Sequence, residues 1–230
     1  MSPGPVNPPR ASGQPGQGGG KPPWLGLVLL AVAFAIIEAA IVTAYRSLLD
    51  PQGERFPLLP LPGSLAGLER VREAATLLLL IAAARLVYRR AVPATATFCF
   101  LFGIWDLAYY ATLRCSLGWP RHGSDWDLLF LLPVPWLGPV WAPLLVSCVL
   151  VVVGSMVLRH ESRRGPFRLG RLHLLTAALG GALCLWSFVT TPSGRALAAL
   201  PSRYPWEWLL LGLALGLAAF SHAVWRNRRP

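Results

Sequence analysis

Long apolar runs separated by short polar and Pro-containing segments dominate the chain. Six of these runs are long enough to cross a bilayer, for which a helix needs about 20 predominantly apolar residues. They predict helices near Trp24–Tyr45, Val71–Tyr88, Ala94–Leu113, Val140–Leu158, Leu172–Thr191 and Trp206–Trp225. Helix-breaking prolines near several run ends agree with these limits: Pro93, Pro143, Pro192 and Pro205. We therefore expect an all-α fold, a polytopic transmembrane bundle of about six spans.

The segment before the first run has a different composition. Residues 1–23 are rich in Pro, Gly, Ser and Gln and nearly lack large apolar side chains, so they cannot bury enough surface to offset the entropy of ordering. We expect a disordered cytoplasmic tail over 1–23 and a single transmembrane helical domain over 24–230. The first run is expected to be a retained span, because it contains Glu38 and lacks a clean cleavage site for a signal peptidase.

A Pro-rich segment precedes the fourth predicted span. From Asp125 to Pro143 the chain reads DWDLLFLLPVPWLGPVWAP, and its prolines and Gly138 exclude one continuous helix. Non-helical backbone at membrane depth survives only where protein buries it or where it lines a wet cavity. Two interpretations stay open, a re-entrant element leading into the fourth span and an interfacial helix lying among the headgroups.

Composition and charge agree with a membrane protein. Hydrophobic residues make up 54% of the chain and charged residues 13%, which is too little polar surface for a water-soluble fold of this length. The net charge of +11 does not indicate nucleic acid as a partner, because the basic residues lie in short clusters between apolar runs. Membrane lipids are the expected partners.

The distribution of Lys and Arg predicts the orientation. With six spans, 13 of these residues lie on the side that holds the N-terminus and 8 on the other side, so both termini are expected in the cytoplasm. Tryptophans mark the outer boundary of the membrane: Trp119, Trp126, Trp136, Trp206 and Trp208. The expected location is a bacterial-type inner (plasma) membrane.

Acidic side chains within the apolar runs give the strongest functional signal. Glu38 lies in the first run and Asp106 near the middle of the third, and charge in a bilayer core is costly enough to indicate function. Tyr109 and Tyr110 follow Asp106 by three and four residues, which places them on one helical face. Further polar residues are expected at the outer boundary: Glu69, Arg70, Arg72, Glu73, Asp125 and Asp127. The sequence predicts a cavity in the outer half of the bundle, lined by Glu38, Arg72, Glu73, Trp105, Asp106, Tyr109 and Tyr110.

Several functions fit such a cavity. A desolvated carboxylate is suited to proton exchange and Arg72 to an anionic group, so the site is expected to bind a small molecule, an ion or a lipid headgroup, with proton-linked transport as one use. An intramembrane enzyme acting on lipid or quinone is an alternative, as is a non-catalytic subunit or assembly factor of a larger membrane complex. In a purely structural interpretation, Glu38 and Asp106 hydrogen-bond neighbouring helices, and Arg72 pairs with Glu73.

No complete catalytic or metal motif accompanies these residues, so the sequence assigns no enzyme activity, metal or cofactor. His160, His173 and His222 fall near the inner ends of three helices, but no metal-ligand spacing reinforces them. Gly212 and Gly216 form a G-x-x-x-G in the last helix, which allows close helix contact either inside the bundle or across a homodimer. Internal packing against Gly180 and Gly181 is the more economical interpretation.

Overall fold

The computed structural model describes residues 21–49, 63–190 and 203–228. In these ranges the chain forms six helices: α1 (Trp24–Leu49), α2 (Gly63–Val87), α3 (Ala91–Leu117), α4 (Trp141–Arg164), α5 (Arg171–Val189) and α6 (Trp206–Arg228). A two-stranded antiparallel hairpin, β1 (Trp126–Phe130) and β2 (Trp136–Pro139), lies between α3 and α4. The predicted all-α class and the six helices are confirmed. The tail predicted over 1–23 lies outside the described residues except for its last three.

Five of the described helices are long and apolar enough to span a membrane. These are α1, α3, α4, α5 and α6, the first over Trp24–Tyr45. Helix α2 is long enough, with 25 residues, but it contains too many charged residues to count as a candidate span: Glu69, Arg70, Arg72, Glu73 and Arg85. The helices therefore fit an integral membrane protein, with five candidate spans by composition instead of the six expected.

Helices α3 and α4 pack with their backbones in contact. A Cβ atom added to Gly103 would lie 2.6 Å from the carbonyl oxygen of Ser147, and one added to Gly154 would lie 2.5 Å from that of Ala96. Such distances leave no room for a side chain, so small residues fix the separation and the register of the two helices. Helix α3 also packs against α1 and α2.

Helices α5 and α6 form a second close pair. A Cβ atom on Gly180 would approach the Gly212 carbonyl oxygen to 2.6 Å, and one on Gly212 would approach the Gly180 carbonyl oxygen to 2.5 Å. The prediction that Gly212 packs internally against Gly180 is confirmed, whereas a Cβ atom on Gly181 would have nothing within 4 Å, so Gly181 takes no part in this contact. Helices α5 and α6 pack extensively against each other and only sparsely against α4 and β2. This leaves space between two helix groups, one formed by α1–α4 and the other by α5 and α6.

Polar contacts define one end of the bundle, which we call the basic end. Arg90 binds Glu161 at 2.8 Å, and the Arg168 backbone N–H donates to Asn227 at 2.9 Å. The Arg159 guanidinium lies 5.9 Å from the ring centre of Trp24. The start of α1 and the end of α6 therefore lie at the same end of the molecule. The opposite end carries the β-hairpin, and we call it the hairpin end.

The hairpin is the one described element that the sequence did not predict. Asp127 pairs with Gly138 and Leu128 with Leu137, and the register shifts between Leu128 and Phe130. The prolines suit this arrangement, since Pro133 and Pro135 fall in the turn and Pro139 ends β2, where missing N–H donors cost least. As expected, the Pro-rich segment does not form one continuous helix. It forms a hairpin instead, which neither interpretation of this segment included.

Candidate functional site

Arg72 is the centre of a buried ion cluster between α1 and α2. Its guanidinium pairs with the carboxylates of Glu38 and Glu69, and its Nε donates to Glu69 at 3.0 Å. The Thr76 hydroxyl lies 3.0 Å from Glu38 Oε1 and donates to it. Glu38 is only 3% exposed, so its charge depends on these partners. The cluster binds α1 to α2.

Glu73 connects α2 to the hairpin. Both of its carboxylate oxygens lie 2.9 Å from the backbone nitrogen of Leu131, which donates to them at the start of the hairpin turn. The Arg72–Glu73 ion pair expected in the structural interpretation is wrong, because Arg72 turns toward Glu38 and Glu69 while Glu73 accepts from the backbone. Glu73 thus holds the hairpin turn against α2.

Asp106 lies at the contact between α3 and α4. The Ser147 hydroxyl donates to Asp106 Oδ2 at 2.8 Å. Among the described residues no group donates to the other oxygen, Oδ1, although the residue is only 6% exposed. One carboxylate oxygen is therefore available to a bound molecule.

Asp127 joins this polar region from strand β1. The Tyr110 hydroxyl donates to Asp127 Oδ2 at 2.6 Å, which fixes the hairpin on α3. Burial raises the pKa of Asp127 to about 6, while the hydrogen bonds from Tyr110 and from the Leu128 backbone act in the opposite direction. Asp127 is therefore a carboxyl that changes protonation close to neutral pH.

A single cavity of about 790 Å³ collects all the residues that the sequence placed in the site. Its polar walls lie at the hairpin end and include Glu38, Arg72, Glu73, Trp105, Asp106, Tyr109 and Tyr110, together with Thr76, Asp127 and Ser147. The remainder runs between α3 and α4 on one side and α5 and α6 on the other, down to Phe167 and Phe220 near the basic end. The polar end is small and the long remainder is almost wholly apolar.

Aromatic rings surround the polar end. The ring centres of Phe102 and Trp105 are 5.4 Å apart, those of Trp105 and Tyr109 6.0 Å, and those of Phe130 and Trp136 5.2 Å. Within the described residues, the buried indole nitrogens of Trp105 and Trp136 have no hydrogen-bond partner. The carboxylates of the polar end therefore lie beside an aromatic wall, which is formed by Phe102, Trp105, Tyr109, Phe130 and Trp136.

Of the three histidines predicted near the inner helix ends, two come together near the basic end. His173 Nε2 lies 3.0 Å from His222 Nδ1, and His173 Nδ1 accepts from the Gly170 backbone N–H. With Nδ1 accepting, neutral His173 carries its proton on Nε2 and donates to His222. His160 instead packs edge-on against Phe167. In the ranges that the structure describes, no three His, Cys, Asp or Glu side chains are placed to hold a metal ion.

No protein-family model, no curated protein and no solved structure matches this chain.

Sequence reasoning missed two members of the polar end. Thr76 and Ser147 are short hydroxyl residues within apolar runs, and each supplies a hydrogen bond to a buried carboxylate on another helix. Thr76 follows Arg72 by four residues, a spacing that places both on one helical face and could have indicated its role. Ser147 has no such signal, because its position depends on the register between α3 and α4.

Proposed function

We propose that this protein is an integral membrane protein whose cavity binds an amphiphile, with the polar group at the hairpin end and the apolar chain between the two helix groups. The observation that carries the proposal is the continuity of the cavity. One space of about 790 Å³ joins the carboxylate-lined end to the apolar remainder, and it lies within the usual range of ligand pockets. A small polar solute would leave most of this space unfilled.

The length of the cavity suits an extended chain. Its α3 wall runs from Ala91 to Tyr110, and at a rise of about 1.5 Å per residue these 19 steps cover about 28 Å. This is close to the roughly 30 Å of a bilayer hydrocarbon core. A lipid-like molecule lying parallel to the helices matches both the length and the polarity of the space.

Lateral access supports a ligand that arrives from the bilayer. Leu174 and Leu185 on α5 and Leu217 on α6 line the cavity, and each is more than a third exposed. Exposed apolar side chains at the rim of a cavity allow an amphiphile to enter without leaving an apolar environment. The gap beside α5 and α6 is therefore the proposed entry.

The proposed placement has six spans, with α2 as the second. Leu78, Ile81 and Leu86 of α2 are exposed, so this helix presents an apolar face outward, while its charged residues at 69, 72 and 73 turn to the site. The basic end then faces the cytoplasm together with both termini, as the excess of Lys and Arg favours. The hairpin closes the cavity on the outer side of a bacterial-type inner membrane.

Native mass spectrometry of the purified protein tests this function. Ala177 and Ala178 are adjacent exposed residues of α5, and of the two only Ala177 lines the cavity. Ala177→Phe should reduce the lipid adducts retained from the host membrane, while Ala178→Phe should leave them at the wild-type number. Equal retention by the two variants, or no retained amphiphile in the wild type, would contradict the proposal.

A further inference from the structure

The polar end of the cavity carries more acidic than basic groups. Four carboxylates line it, those of Glu38, Glu73, Asp106 and Asp127, and among the described residues Arg72 is the only Lys or Arg that does so. Arg72 is already engaged by Glu38 and by Glu69. An anionic headgroup would therefore meet a wall of carboxylates, and the sequence-based expectation that Arg72 holds an anion loses its support.

Two of these carboxylates, those of Asp106 and Asp127, have no cationic partner in the described structure. No Lys or Arg nitrogen lies within 4.0 Å of Asp106 or Asp127. Their hydrogen bonds come from the hydroxyl groups of Ser147 and Tyr110 and from the Leu128 backbone, whereas the charges of Arg72 and Arg70 act on Glu73. A carboxylate buried without a cation either remains protonated or binds one. Asp106 also keeps Oδ1 without a donor. The site is therefore short of positive charge at a position that a ligand can reach.

The aromatic wall favours a cation of a particular kind. Rings of Phe102, Trp105, Tyr109, Phe130 and Trp136 all line the cavity beside these acids. Aromatic faces attract ammonium groups, and cages of such rings recognise quaternary ammonium ligands. A small metal ion gains little from these rings and would require several oxygen ligands at short distance. Carboxylates and aromatic faces together suit an alkylated ammonium.

We propose that the amphiphile bound here carries an ammonium headgroup, seated between Asp106 and the aromatic wall, with its apolar chain in the space between the two helix groups. This inference rests on the proposed function, which supplies the chain, and adds the charge of the head. Membrane lipids with a cationic head and soluble cationic amphiphiles share this chemistry.

Competition among ligands with one tail and different heads tests the inference. The probe is a dodecyltrimethylammonium derivative with a photoreactive diazirine in its chain, crosslinked to the full-length protein in a neutral steroid-based detergent and quantified by intact mass. Dodecyltrimethylammonium should displace the probe at a concentration at least about tenfold lower than dodecyl maltoside or dodecyl sulfate does, the ratio that a difference of 1.4 kcal/mol produces. Equal displacement by the three heads would overturn the ammonium assignment and leave amphiphile binding intact.

Two variants assign the effect to the site. Asp106→Asn keeps the size of the side chain and an acceptor for Ser147, so the preference for the cationic head should fall about tenfold while displacement by dodecyl maltoside stays unchanged. Glu207→Gln removes an exposed carboxylate of α6 outside the cavity and should change neither value. An unchanged preference in Asp106→Asn would refute the inference.

Two further results separate this inference from the proposed function. If tetramethylammonium, which has no chain, competes as well as the dodecyl compound, the ammonium assignment stands and the amphiphile proposal fails. If no ligand displaces the probe and Ala177→Phe crosslinks like Ala178→Phe, both fail. A probe attached to peptides of α3 and α5, displaced by the dodecyl cation alone, supports both.

Discussion

The hydroxyl of Ser147 lies 2.8 Å from Asp106 Oδ2. The carbonyl oxygen of the same residue packs against Gly103, one turn earlier in α3, where an added Cβ atom would lie 2.6 Å from it. The two contacts fix the same pair of helices. The Asp106 carboxylate at the polar end of the cavity is therefore positioned by a glycine three residues before it. Helix packing and the chemistry of the site depend on one another at this point.

Gly103→Ala is expected to destabilise the protein. In an ordinary helix interior this change stabilises by up to about 1 kcal/mol, but here the new Cβ would lie 2.6 Å from a carbonyl oxygen and 2.7 Å from Val151 Cγ2. Overpacking of this kind costs about 1–3 kcal/mol. Thermal or denaturant unfolding in detergent measures the change.

The control for this prediction is Gly67→Ala in α2. An added Cβ there has nothing within 4 Å, so the ordinary helix preference should apply and stability should stay the same or rise slightly. If Gly103→Ala were as stable as Gly67→Ala, α3 and α4 would not be in backbone contact. Loss of amphiphile adducts in Gly103→Ala alone would further connect the packing to the site.

Arg72→Met is expected to be strongly destabilising. It leaves Glu38 and Glu69 buried without their cation, and removing one partner of a buried pair costs about 3–5 kcal/mol. Arg70→Met is the matched control, since Arg70 is exposed and its loss should cost less than about 0.5 kcal/mol. Adding Glu38→Leu to Arg72→Met should restore part of the loss. Similar unfolding of the Arg72 and Arg70 variants would exclude the buried cluster.

The stability of the hairpin should increase as the pH falls through about 6. Because burial raises the pKa of Asp127 from 3.8 to about 6, the folded hairpin favours the protonated carboxyl. The cost of the ionised form is absent below pH 4, grows as the pH rises between 4 and 6, and is complete above 6, where it reaches about 3 kcal/mol. Hydrogen exchange of the β1 amides, corrected for intrinsic rates, measures this opening.

Asp127→Asn separates this effect from other titrations. The variant cannot ionise, so the difference in β1 protection between variant and wild type should be large at pH 7 and small at pH 4. Glu73, which also contacts the hairpin, is unchanged in both proteins, so its contribution cancels in the difference. A difference that does not change with pH would show that Asp127 remains ionised, or that it is not buried against Tyr110.

Cysteine labelling tests α2 as a span. Ser64 and Arg89 are exposed residues near the two ends of α2. In intact cells an impermeant maleimide should label Ser64→Cys directly and Arg89→Cys only after permeabilisation. Arg121→Cys at the hairpin end and Arg164→Cys at the basic end serve as references for the two sides, and labelling of the wild type gives the background from native cysteines. Labelling of both α2 positions from one side would remove the sixth span.

Much of the helical frame could be predicted from the sequence. Runs of apolar residues with flanking prolines are a strong local signal, and α1 and α6 begin at Trp24 and Trp206, where the runs predict. The second helix was predicted from Val71, whereas α2 begins at Gly63. The charged first part of α2 has too low a hydropathy to be recognised as part of an apolar run. A segment can form a helix without being apolar, so the helix begins before the residue predicted.

The partners of the acidic residues could not be predicted in the same way. The sequence predicted that Glu38 and Asp106 lie in one region, and both residues do line the cavity. It did not indicate that Arg72 pairs with Glu38 or that Glu73 accepts from Leu131, because these contacts depend on the register between helices and on the hairpin fold. Single-sequence patterns carry no information about either.

The most direct test is an electron-microscopy map of the protein in nanodiscs of its host lipids. We expect one elongated density inside the protein, with its head between Asp106 and Tyr109 and its chain reaching between Leu213 and Phe220. A cavity closed by side chains, or density that only surrounds the outer surface of the helices, would contradict an amphiphile site.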